Sequence, residues 1–156
     1  MAGRIHARLA ELGIVLPEAF ASSAGNYVGF VRANDLLFVA GQGPMEGGKP
    51  KYTGKVGTGL SPEDGYQAAR LAGLNVLAQA SKALDGDLDR IVRCVRLFGL
   101  IASGPKYVGQ AQAMNGASDL MVEVLGDAGR HARTTIGSPG LPHDMSVEVE
   151  ALFAIA

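Results

Sequence analysis

Arg133, near the end of the chain, and the acids Glu148 and Glu150 on the strand that follows are side chains whose types could do chemistry on a small molecule. A guanidinium is always charged and presents a planar fork of donors that matches a carboxylate. A glutamate can orient or take a proton, and does so near neutral pH when burial raises its pKa. The pair suggests a small anionic ligand. Other readings of the same residues stand beside this one. Arg133 also fits an arginine paired with Glu148 or Asp144, and Glu148 fits a solvated acid on a strand face, with Glu150 as an obvious decoy. His131, His143 and Asp144 lie in the same stretch, but no further ligand stands at a spacing that would complete a metal site. Cys94 sits within an apolar run and reads as a small core hydrophobe.

These residues belong to a tail, residues 131–156, in which a loop opening with Arg133 runs through Gly137, Ser138, Pro139, Gly140 and Pro142 into a strand. There Val147, Val149, Ala151, Phe153 and Ile155 alternate with Glu148, Glu150, Leu152 and Ala154, the period of a half-buried strand. Glu148 and Glu150 therefore share one face with Leu152 and Ala154. Upstream, residues 4–12 predict a short helix with Ile5, Leu9 and Leu12 on one stripe and Gly13 at its end. Residues 27–32 and 36–40 predict a hairpin joined through Ala33, Asn34 and Asp35, the second strand running into Gly41, Gln42, Gly43 and Pro44. A glycine-rich loop follows, with an edge strand expected near residues 51–56.

Ser61, Pro62, Glu63 and Asp64 announce a helix: a cap, a proline at the first position, and acids in the positive first turn. Tyr66, Ala69, Gly73, Val76, Leu77, Ala80 and Leu84 form its inward stripe. The apolar residues 90–102 predict a long central strand. A second helix is expected from about Tyr107 to Leu125, with Tyr107, Ala111, Met114, Ser118, Met121, Val122 and Leu125 facing inward and Asn115 at the stripe's edge. Two helices on one face of a small sheet define a layered α+β domain whose other sheet face is bare, which predicts self-association.

Composition narrows the function classes. The 156 residues, 47% apolar, suit one domain. Fourteen basic and fifteen acidic residues give a net charge of -1, so no global field attracts nucleic acid or an anionic membrane. A single cysteine excludes an internal disulfide and fits a reducing compartment. No apolar run suits a secretory signal or a bilayer span, so a cytoplasmic protein is expected.

The chain resembles the Rid (YjgF/YER057c/UK114, endoribonuclease L-PSP-like) family. The resemblance rests on Asn26 and Tyr27, on AGQGP at 40–44, on Ser61 with its helix, on LDRIV at 88–92, on ARTTIG at 132–137 and on LPHDMSVEVEA at 141–151. It implies a chorismate-mutase-like α+β fold, with a mixed β-sheet and two helices on one face, assembled as a homotrimer with ligand clefts between subunits. It implies that Arg133 binds a substrate carboxylate, that Glu148 acts on water, and that Tyr27, Gly41 and Asn115 line the site; Thr135, which stands where many members have cysteine, is expected to bind substrate too, its backbone N–H and hydroxyl adding a donor. Taken as residue types, Tyr27 also fits an interface aromatic and Asn115 a backbone bridge. Residues 1–20 extend the compact family chain, as in a longer branch of the family, and are expected to cover the trimer rim or narrow the cleft. The implied activity is enamine/imine deamination of a small 2-imino carboxylate to a 2-keto acid and ammonia, with no metal or organic cofactor. The alternative is a non-catalytic small-carboxylate binding or regulatory protein. An endoribonuclease or translation inhibitor follows only from the family's other name, and the neutral charge and absent aromatic-basic stripe oppose it.

Overall fold

The structure is a computed structural model that describes residues 3–20 and 25–156. Helix α1 (Arg4–Glu11) has no cap of its own, since Gly3 precedes it. Its first N–H groups are met instead from a distant turn, where the Asp89 carboxylate accepts from Arg4 N at 2.6 Å and Ile5 N at 2.8 Å. Ile5 and Leu9 are buried in the main core, and Gly13 ends the helix with φ +66. The first two residues of the predicted extension lie outside the described residues.

Strands β1 (Phe30–Ala33) and β2 (Leu36–Gln42) form the expected hairpin, with Asn34 at φ 53 in its turn. Residues 27 and 28 precede the pairing, while the Gly29 carbonyl accepts from Ala40 N at 2.9 Å just ahead of β1. The edge strand expected near residues 51–56 is absent. A two-residue ladder instead joins β3 (Met45–Glu46) to β4 (Lys49–Pro50) across Gly47 and Gly48, both at positive φ, the conformation a tight hairpin turn demands.

Helix α2 (Pro62–Ala83) starts as its sequence dictates: Ser61 Oγ accepts from Asp64 N at 3.0 Å while the Asp64 carboxylate accepts from Ser61 N at 2.9 Å. Strand β5 (Ile91–Ala102) is interior. Helix α3 (Gln110–Leu125) buries Ala113, Met114, Gly116, Ala117, Leu120, Met121, Val124 and Leu125. Its inward face is thus rotated from the expected stripe, leaving Ala111 exposed. The expected loop at Arg133 is a strand, β6 (Ala132–Ser138), paired in parallel with β5. Strand β7 (Val147–Ile155) completes a mixed sheet in the order β1-β2-β7-β5-β6.

The register sorts side chains by face. Leu97 pairs with both Arg133 and Ala151, while Leu100 pairs with both Ile136 and Glu148. Because directly paired residues point the same way and neighbours alternate, Arg133 faces the helices and Glu148 the bare side. That bare side carries Val31, Phe38 and Ile136, each about half exposed or more. Among the described residues no helix is long and apolar enough to cross a membrane.

Helices α2 and α3 touch through small residues. A Cβ added at Gly116 would fall 2.9 Å from Arg70 N and 2.9 Å from the Tyr66 carbonyl carbon, backbone atoms that cannot swing aside. Gly116→Ala gains roughly 1 kcal/mol in helix propensity. Overpacking a helix contact costs about 1–3 kcal/mol, and more against backbone, so the net effect is a loss. Denaturant unfolding should show the variant less stable; equal or greater stability would mean the helices are not in this contact.

Candidate functional site

Arg133, second residue of β6, projects beneath the sheet onto α3. Its Nη1 donates to Asn115 Oδ1 at 2.9 Å and to Ser118 Oγ at 3.1 Å, and its Nη2 donates to the Ala111 carbonyl at 3.3 Å. Three of five guanidinium donors are thereby used, all on neutral acceptors. The Nε–H and one Nη2–H are left, and together such donors can engage a carboxylate. Among the described residues the salt bridges are Arg8–Glu11, Lys51–Glu46, Arg70–Glu123 and Arg130–Asp127, so Arg133 pairs with neither Glu148 nor Asp144.

Thr135 follows on the same face one pleat along, about 7 Å from Arg133 by strand geometry. Its Oγ1 is buried and, among the described residues, has no hydrogen-bond partner. An unsatisfied buried hydroxyl costs about 1–3 kcal/mol, so it is a donor without an acceptor at the end of the arginine's reach.

Glu148 lies across the sheet with Gly41. The β2–β7 pairing shifts register between Val39 and Gln42, and Gly41 sits in that irregularity. A Cβ at Gly41 would lie 2.9 Å from the Glu148 Cδ and 3.0 Å from its Cγ, so only glycine lets the carboxyl fold over this backbone. Burial, and then the negative charge of Glu150, push the Glu148 pKa up. Glu150 is exposed, which separates the two strand acids by environment.

The structure therefore gathers the sequence-predicted residues in three groups. Arg133, Asn115 and Thr135 stand together at the β6 side, Glu148 and Gly41 meet on the bare face, and Tyr27, 57% exposed, precedes β1 at the far edge. Four strand spacings of about 4.8 Å put some 19 Å between the sheet's two edges. The expected loop at Arg133 is corrected to a strand, and the pleat sends Arg133 and Glu148 to opposite faces of the sheet. Asn115 bridges to Arg133 instead of to backbone. Sequence reasoning placed Ser118 in the core stripe and gave His131 no link to it, whereas Ser118 Oγ lies 3.1 Å from Arg133 Nη1 and 3.0 Å from His131 Nε2. Their signal was spacing, since Ser118 follows Asn115 by three helical residues and His131 precedes Arg133 by two.

The sequence model of the YjgF/chorismate mutase-like, putative endoribonuclease family matches residues 6–155. This chain belongs to that family. It is similar to Protein TCP17 of Trypanosoma cruzi, 44% identical over 151 residues that cover 96% of this chain and 93% of that protein. The crystal structure of Atu1372, a protein of unknown function from Agrobacterium tumefaciens, is 45% identical with a TM-score of 0.89, covering 97% of this chain and 94% of the other. A putative endoribonuclease from Shewanella oneidensis is 35% identical with a TM-score of 0.93, covering 98% and 100%.

The raised Glu148 pKa sets a signed expectation. Its charged form is disfavoured in the fold, so stability present below the unfolded glutamate value near 4.3 is lost as pH rises through the folded value. Glu148→Gln should be more stable than the parent at pH 7 and indistinguishable from it at pH 4 by thermal unfolding. An equal gain at both pH values would trace the effect to something other than charge.

Proposed function

We propose that this protein is a hydrolase that deaminates small 2-imino or 2-enamino carboxylates, releasing a 2-keto acid and ammonia. The observation that carries the reading is Arg133: a guanidinium locked by three neutral acceptors, without an acid partner, beside the unpartnered hydroxyl of Thr135. Such a group binds an anion from solution, and its fork selects a carboxylate. Family membership supports the choice of chemistry, because the Rid/YjgF family includes deaminases.

The reaction needs one proton acceptor. A water held by Glu148 adds its oxygen to the imine carbon while the carboxylate takes the proton. The carboxyl returns that proton to the former imine nitrogen, giving the carbinolamine; the carbinolamine's hydroxyl proton then passes through Glu148 to the same nitrogen as the C–N bond breaks, ammonia leaves and the C=O forms. A raised Glu148 pKa suits both halves of this transfer. Thr135 would donate to the carboxylate from its hydroxyl, and Gly41 keeps the approach to Glu148 free of a side chain. No step calls for a metal or an organic cofactor.

Since Arg133 and Glu148 leave opposite faces of one sheet, the reading takes them from two copies, with the cleft closed where the bare face of one chain meets the edge of the next. Tyr27, exposed at the opposite edge, would enter the cleft the same way. A head-to-tail contact of this kind closes into a ring, here a trimer.

Ammonia release from freshly generated 2-aminoacrylate should be accelerated by the wild type. Arg133→Ala should lose about 10- to 100-fold in kcat/KM, the worth of a charged hydrogen bond pair. Mixing the weakened Arg133→Ala and Glu148→Gln proteins, then unfolding and refolding them together, should raise the activity above that of either variant alone. Wild-type activity in the alanine variant would sink the reading. Pyruvate-dependent thermal stabilisation without ammonia release would turn it to the alternative, a small-carboxylate binding protein. Salt-sensitive RNA binding with cleavage would instead favour the endoribonuclease reading.

A further inference from the structure

His131 stands two residues before Arg133, half-buried at the entry to β6. Its Nδ1 lies 2.6 Å from the Gly129 carbonyl oxygen and its Nε2 lies 3.0 Å from Ser118 Oγ. A carbonyl only accepts, so Nδ1 carries the hydrogen and, in the neutral ring, Nε2 presents a lone pair. The Ser118 hydroxyl must then donate to Nε2. Having spent its only hydrogen, Ser118 Oγ turns lone pairs to Arg133 Nη1 at 3.1 Å. Every direction in the chain Arg133→Ser118→His131→Gly129 is thus fixed by the last acceptor. That acceptor is itself held, for Gly129 packs so closely on the backbone of α3 that a Cβ there would lie 2.8 Å from Val122 Cα.

We propose that His131 is a positioning residue for Arg133: acting through Ser118, its neutral Nδ1–H form aims the guanidinium at the substrate carboxylate. The proposal rests on the carboxylate-binding reading of Arg133 given above. Burial, with the Arg133 charge adding to it and the Gly129 hydrogen bond opposing, holds His131 below the ordinary histidine value, so the ring is neutral at pH 7. The other charges around it are engaged elsewhere. Arg130 turns to Asp127 at 3.5 Å, Arg93 donates to the Arg130 carbonyl, and on α3 Asp119 accepts from Tyr66 while Glu123 pairs with Arg70.

Protonation reverses the relay. Nε2 becomes a donor, the Ser118 hydroxyl must turn away, and Arg133 faces a second cation one hydroxyl distant. Ser118 Oγ must then accept from two mutually repelling cations and holds Arg133 less firmly, so carboxylate affinity falls as pH drops through the His131 value. Simple charge attraction predicts the opposite, because an imidazolium draws an anion, and this difference makes the idea testable.

The experiment is titration of the full chain with pyruvate by calorimetry from pH 5.5 to 8, with KM and kcat for 2-aminoacrylate alongside. Wild type should bind about 5- to 10-fold more weakly at the acid end, the worth of one hydrogen bond. His131→Phe and Ser118→Ala should show a similar rise in KM at pH 7 with kcat within about twofold. His131→Gln, whose amide can accept from Ser118 and cannot be protonated, should restore affinity and flatten the pH dependence. Tighter binding at acid pH, or wild-type KM in both His131→Phe and Ser118→Ala, would overturn the relay. If wild type neither binds pyruvate nor turns over 2-aminoacrylate, the functional reading falls by itself. Side-chain nitrogen NMR then still decides the relay, which requires an Nδ1–H tautomer at His131 and an Arg133 Nε that gains mobility in His131→Phe; the Nε2–H tautomer or an unchanged Nε would overturn it.

Discussion

The arrangement of this molecule depends on how closely α2 and α3 approach. Gly65 leaves room for Val56 and Ala113, Gly73 faces Ala117 and Leu120, and Gly116 lies against the α2 backbone at Tyr66 and Arg70. Small residues at successive turns let two helices share one sheet face without large side chains holding them apart. The same closeness presses α3 onto β5, where Gly99 admits Met114; a Cβ there would be 3.0 Å from the methionine Cε. With α3 held at that height, the Ala111 carbonyl, Asn115 and Ser118 come under β6 at hydrogen-bonding distance from Arg133. Lifting α3 by a methyl group would break the contacts that aim the guanidinium.

The other half of the site hangs from α2. Asn75 is buried, and its Nδ2 reaches the carbonyls of Met45 at 3.0 Å and Gly43 at 3.3 Å, tying down the turn that follows the β2 irregularity. Gly41 lies just upstream, so this buried amide fixes the backbone over which Glu148 folds. Gln79, one helical turn on, donates to the Phe20 carbonyl at 2.6 Å and anchors the N-terminal segment in the same way. Surface ion pairs such as Arg8–Glu11 are worth little beside these contacts. An amide shielded from water must keep its partners, because losing one exposes a full desolvation penalty.

Much of this was legible in the sequence wherever a strong local rule applied. Ser61 and Asp64 wrote the start of α2, the alternation from Val147 to Ile155 wrote β7 with its buried and bare faces, and Gly13 closed α1. The failures share a cause. Strand β6 has no apolar alternation, since Arg133, Thr135 and Gly137 face the helices, and it owes its existence to pairing with β5, a tertiary effect beyond local propensity. The inward face of α3 was misread because part of it is made by Ala113, Gly116 and Ala117, which carry little hydrophobic signal beside the buried Met114, Leu120 and Met121. Both errors bear on the site: the first left Arg133 on a loop, and the second hid Ser118 in the core. The residues of the candidate site could be named from the sequence, but their faces could not, because the face is set by a register that only the paired strands define.

Where the chain departs from the rules of stable packing, the departures fall close together. Arg8, Arg70 and Arg130 each have a carboxylate within 4 Å, whereas Arg133, turned under the sheet, is met only by neutral oxygens. Thr135, one pleat away, hides a hydroxyl that has no partner among the described residues. Glu148 is held where burial, and then the neighbouring charge of Glu150, disfavour its ionised form. A sequence shaped for stability alone would set an acid against Arg133, a valine at 135 and an amide at 148. Each such change would remove a local penalty and with it a group able to bind or move a proton. Concentrated on β6 and β7, these penalties mark the part of the fold shaped by something other than folding.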